Sequence, residues 1–112
     1  MIKTHVIEID GAKISGWDDF HDLFADRLGF PAWYGRNLDA WIDLMTYLEF
    51  DRETTKVVLE PGETMVFRIS NWERLRDERP EIFTALVECS AIVNHRTMEA
   101  GEHPYLVIAF SQ

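Results

Sequence analysis

Polar and apolar residues alternate imperfectly through Thr4-His5-Val6-Ile7-Glu8-Ile9, which predicts a strand closed by the turn pair Asp10-Gly11. Ser15, with Asp18 three residues on, resembles an N-cap pair opening a helix. Trp17, Phe20, Leu23, Phe24 and Leu28 form that helix's apolar face, and Gly29 is placed to stop it. Pro31 breaks the pattern, because the residue before a proline is pushed away from helical angles. Leu38, Trp41, Ile42, Met45 and Leu48 then recur at three- and four-residue steps, predicting a second helix from Asn37 to near Leu48.

A polar loop is expected from Glu49 to Thr55. Lys56–Glu60 and Thr64–Ile69, on either side of Pro61-Gly62-Glu63, predict two strands of a hairpin. Ser70 and Glu73 resemble a capping box for a short helix running to about Arg79, with Trp72 and Leu75 facing inward. Pro80 suits the first turn of a longer helix. Its stripe is Ile82, Phe83, Leu86, Cys89 (with Val87) and Val93, and it runs to about Met98 before Gly101. Tyr105–Phe110 is a continuous apolar run, as expected for a strand of a parallel sheet covered by helices. This alternation predicts an α/β layer fold with a small, mostly parallel sheet. A chain of 112 residues fits one domain, 1–112.

Composition and charge narrow the functional classes. A hydrophobic fraction of 46% is ordinary for a globular protein, and this length folds on its core without disulfides or metal. No apolar run approaches a membrane span, and Met1–His5 lacks the apolar core of a signal peptide. With Cys89 as the single cysteine there is no internal disulfide, and a reduced cytoplasmic home is the simplest inference. A net charge of −9 disfavours nucleic acid and anionic membranes but suits a basic protein partner. From Asp18 to Glu49 the charged residues are Asp18, Asp19, Asp22, Asp26, Asp39, Asp43 and Glu49 against Arg27 and Arg36.

Little points to catalysis. His5, His21, His95 and His103 have no metal-ligand spacing, and neither a phosphate loop nor a nucleophile elbow appears. No metal or other cofactor is therefore expected. Cys89, on an apolar stripe, reads as a small buried hydrophobe. Asp39 and Asp43 stand one helical turn apart, but nothing marks a substrate cleft between them. Their row, continued by Thr46, leaves the apolar stripe and lies beside a loop carrying Trp33 and Tyr34. Like charges at that spacing repel by roughly 0.2–0.5 kcal/mol, a cost that only Asp39, near the helix N-terminus, partly offsets. The row is either a solvated polar face or a surface shaped for a cation.

The run Pro31 to Thr46 resembles the barstar family of intracellular ribonuclease inhibitors. Pro31, Tyr34-Gly35, Asn37-Leu38-Asp39-Ala40, Asp43 and Thr46 carry the likeness, with Trp33 as a second aromatic. The resemblance implies three parallel strands in sequential order in a two-layer fold. Lys56–Glu60 then looks like an added hairpin strand. It also implies a non-enzymatic inhibitor that plugs the active site of a basic ribonuclease or ribonuclease-like toxin. Asp43 would mimic the substrate phosphate, and Asp39 would meet a second basic group. Tyr34, Gly35, Asn37, Leu38, Ala40 and Ile42 would line the contact, Thr46 its far edge, and Glu88 would add an acidic contact. Trp33 stands where the family has a contacting tyrosine. Ile42 replaces a tryptophan that touches the ribonuclease, Trp41 stands where a leucine is usual, and Arg36 replaces an acidic residue. Asn37 would equally serve as a helix cap, Leu38 as core and Gly35 as a turn residue. An acidic interaction or regulatory module with a non-nuclease partner is the rival reading.

Overall fold

A computed structural model describes residues 3–49 and 55–111. Strand β1 (Lys3–Asp10) leads through one 3-10 turn (Gly11–Lys13) to α1 (Trp17–Leu28) and α2 (Leu38–Thr46). Then come β2 (Glu63–Ser70), α3 (Trp72–Glu78), α4 (Pro80–Glu99) and β3 (Leu106–Phe110). The sheet is three-stranded and wholly parallel, in the order β1-β2-β3. This is the α/β architecture that the barstar resemblance implies.

Sheet alternation sets the core. Ile7, Ile9, Met65, Phe67, Ile69 and Leu106 point to one face and are buried. The helices lie on that face. Phe24 of α1 and Trp41 of α2 approach Phe67 at 5.3 and 6.3 Å between ring centres. Trp72 of α3 and Phe83 of α4 approach Phe110 at 4.9 and 5.7 Å. Burying a large apolar side chain contributes about 1.5–3 kcal/mol over leaving it exposed, so this face dominates the stability.

The opposite sheet face is not covered as expected. The register places Val6, Val66 and Val107 in one row across it, and Val6 and Val107 are exposed. The unbroken apolar run of β3 thus conceals an ordinary in–out alternation. Val87, read with the buried stripe of α4, is also exposed.

Four local readings are corrected by tertiary partners. Lys56–Glu60 forms no strand, and there is no hairpin. Its backbone instead closes helix ends: Lys56 and Val57 donate N–H bonds to the Leu28 carbonyl at 3.1 and 3.4 Å, and Leu59 donates to the Leu48 carbonyl at 2.9 Å. Carbonyls at a helix C-terminus lack intrahelical donors, and this segment supplies them. Gly16, not Ser15, is the N-cap of α1, while the Ser15 N–H and hydroxyl both donate to Asp19 rather than engaging Asp18. The Ser70–Glu73 box is absent. Asn71 precedes α3 in the left-handed region and donates from Nδ2 to Asp10 at 2.8 Å. Helix α2 stops at Thr46, two residues short of Leu48. The loop expected over 49–55 lies largely outside the described residues.

Gly29 caps α1 at φ 64°, as its position suggested, and a Cβ there would meet the Lys56 stem at 2.6 Å. The close approach of the Lys56 stem leaves no room for a side chain at that position.

Candidate protein-binding surface

The loop from Phe30 to Asn37 is fixed from beneath. Tyr34 is buried, packs on Phe30 at 4.7 Å and shares a 2.6 Å hydrogen bond between its hydroxyl and His21 Nδ1. Burial pushes the Tyr34 phenol up to about 12, although nearby Arg36 opposes this. Burial also lowers the pKa of His21, helped by Arg36 and opposed by Asp18 and Asp22. His21 is therefore a neutral imidazole in the folded protein. The unfolded chain takes up this proton below about pH 6.5, and the folded chain only at lower pH. The stabilising contribution is present above pH 6.5 and is lost as pH falls through the folded value. Urea denaturation at pH 7 and pH 5.5 should show a steeper loss for the parent than for His21→Gln.

Arg36, not Gly35, takes the left-handed backbone, with φ 54°. Arg36 is held there by Asp22 at 2.7 Å and Asp18 at 3.6 Å. Part of the acidic face of α1 thus neutralises the Arg36 guanidinium. Asn37 caps α2, its Oδ1 accepting from Ala40 N–H at 2.8 Å while Nδ2 donates to the Gly35 carbonyl at 3.3 Å. Losing that cap costs about 1 kcal/mol. Asn37→Ala should lower the denaturation midpoint accordingly.

Helix α2 then sorts its residues between core and solvent. Trp41 and Ile42 are buried, and Leu38 and Ala40 are partly buried against the core. Thr46 turns its hydroxyl back to the Ile42 carbonyl at 2.7 Å. Asp39 and Asp43 are exposed. Of the expected contact residues, Trp33, Gly35, Asn37, Asp39, Asp43 and Glu88 face solvent, Trp33 being 69% exposed. Tyr34 and Ile42 belong to the core, so the available surface is narrower than the sequence suggested.

Helix α4 packs beside α2 and completes the acidic rim. Burial raises the Cys89 thiol pKa, and the negative charges of Glu88 and Asp39 add to the shift. Further along, Arg96 of α4 donates to the Asp43 carboxylate at 2.8 Å, with side chains 46% and 63% exposed. Nothing in the sequence pattern marked Arg96, which lies 53 residues from its partner. Among the described residues Asp39 makes no ion pair.

The family described as Barstar (barnase inhibitor) matches residues 4–109. The chain belongs to the Barstar family. Its similarity to a Bacillus subtilis (strain 168) protein named "Putative ribonuclease inhibitor YrdF" is 48% identity over 40 residues. That match covers 36% of this chain and 44% of the relative, so less than half of either is spanned. Barstar family membership agrees with the sequential three-stranded parallel sheet. Barstar family proteins are inhibitors rather than enzymes. Among the described residues no helix is long and apolar enough to cross a membrane.

Proposed function

We propose that this chain is a cytoplasmic, single-domain inhibitor of a basic ribonuclease or ribonuclease-like toxin, and that it has no catalytic activity of its own. The α2–α4 rim fills the nuclease active site, and Asp43 takes the place of the scissile phosphate. The observation that carries this reading is the exposed set Asp39, Asp43 and Glu88 on two packed helices of a Barstar family chain. A ribonuclease holds phosphate with cationic side chains, and a carboxylate accepts the same charge-assisted bonds.

Arg96 supports the reading chemically. Its guanidinium already sits on Asp43 at 2.8 Å, the type of contact a nuclease arginine would make. An exposed pair of this kind contributes about 0–1 kcal/mol. Truncating one member of such a pair in a desolvated interface costs about 2–5 kcal/mol, much of it the penalty of the charge left unpaired. The weak exposed pair with Arg96 is thus a small cost for a partner's arginine to displace.

RNA cleavage by basic ribonucleases mixed with the purified protein tests this directly. One of them should be inhibited at a one-to-one ratio, with an association rate that falls steeply as salt rises. Capture of a partner with no nuclease activity, together with failure to inhibit any ribonuclease, would favour the rival interaction module.

A further inference from the structure

Away from the α2–α4 rim, three acceptor side chains converge where α2 ends and β3 begins. Glu49 follows α2, and Glu102 and His103 lie between α4 and β3. One ligand-type atom from each lies within 4.8 Å of the other two. We propose that Glu49, Glu102 and His103 form a binding site for a divalent transition-metal cation of the zinc class.

The imidazole is held in a tautomer that suits this role. Nε2 of His103 is 2.6 Å from the Glu63 carbonyl, which only accepts, so Nε2 carries the hydrogen. Nδ1 is then left with its lone pair. A histidine that ligates metal characteristically donates its other ring N–H to a carbonyl or carboxylate. The His103 backbone is fixed as well, its carbonyl accepting from the Thr97 hydroxyl at 2.8 Å.

Two buried polar atoms at the same place lack partners. Glu49 Oε2 is buried without a hydrogen bond, and so is the hydroxyl of Tyr105, a residue that is 0% exposed. The Tyr105 ring is 5.2 Å from that of His103. A buried polar group left unsatisfied costs about 1–3 kcal/mol, and more if charged. The cluster presents two carboxylates and one imidazole lone pair, all acceptors, so the partner that satisfies them is a cation.

The mixed nitrogen and oxygen set selects the class. Magnesium and calcium favour all-oxygen shells, whereas imidazole with carboxylates suits zinc and its neighbours. Zinc bonds of about 2.0–2.2 Å place tetrahedral ligands roughly 3.3 Å apart, so the side chains close modestly around the ion. Glu49 and His103 come from separate segments, so no local spacing marks the cluster. Bound metal would tie the end of α2 to the start of β3.

Zinc chloride titrated into the chelator-treated full chain, against a chromophoric chelator, tests the site. The parent should bind one equivalent and gain thermal stability, with no such gain from magnesium. Glu102→Gln and His103→Ala should each weaken zinc binding at least tenfold. His95→Gln should leave it unchanged, since His95 and Glu99 form a separate exposed pair at 2.9 Å. Absence of stoichiometric uptake by the parent, parental affinity in either site variant, or loss of uptake in His95→Gln overturns the proposal. Should His103→Ala fail to fold, Glu102→Gln decides.

Discussion

Asp43→Ala should weaken inhibition of the target ribonuclease by about 2–5 kcal/mol, which is roughly 30-fold to several-thousand-fold in Kd. The fold should be nearly untouched, because the exposed Arg96 pair that is lost contributes about 0–1 kcal/mol. Inhibition titrations and urea denaturation on the same preparations separate the two effects. Asp43→Asn should lose almost as much affinity, since shape is kept and only the charge is removed. Arg96→Ala should act in the opposite direction. It removes a competitor for the carboxylate and makes the chain more negative, so binding tightens by up to about fivefold. Loss of binding in Arg96→Ala would mean that the arginine positions the carboxylate instead of competing for it.

Trp41→Ala should have the largest effect on stability. Its indole is 0% exposed and packs among Phe20, Phe24 and Phe67 at 6.3, 5.5 and 6.3 Å. Truncating such a side chain costs about 3–5 kcal/mol, a large share of the 5–15 kcal/mol typical of a whole domain. The denaturation midpoint should collapse, and inhibition should fail through unfolding. Trp41→Phe should retain most of the stability, because it keeps an aromatic ring and removes an indole N–H that is buried without a partner. Together these variants separate the core side of α2 from its acidic side.

The exchange of aromatic positions along α2 has a physical account. The ring at 41 lies inside, and Ile42 beside it is only 6% exposed. Bulk that the family resemblance would put at the binding surface has moved into the core. Trp33, on the loop before α2, and Tyr47, at its C-terminal end, are the large aromatics left exposed at either end of this helix.

Local signals were legible where a residue acts on its own neighbours. Pro80 opens α4, Gly29 closes α1 in the left-handed region and Asn37 caps α2, as their chemistry dictates. The four-residue step from Asp39 to Asp43 left the apolar stripe, and both side chains are exposed. Misreadings arose where a distant partner decides. Val57, Leu59 and their neighbours have strand composition, but the Leu28 carbonyl at the end of α1 and the Leu48 carbonyl in the turn after α2 claim their N–H groups. Asn71 engages Asp10 across 61 residues, displacing the expected capping box. Tyr34 looked like a contact residue, and only the position of His21 across the fold shows that it anchors the loop. Arg96 and the Glu49–Glu102–His103 cluster were invisible for the same reason.

The central claim is that the Asp43 carboxylate occupies the phosphate position of a ribonuclease. Competition between this protein and a mononucleotide bound in the active site of the inhibited nuclease tests it most directly. If Asp43 takes the phosphate position, the apparent Kd for the inhibitor rises in proportion to nucleotide concentration, and this dependence is lost with Asp43→Ala. An apparent Kd that stays constant as nucleotide saturates the enzyme would contradict the claim.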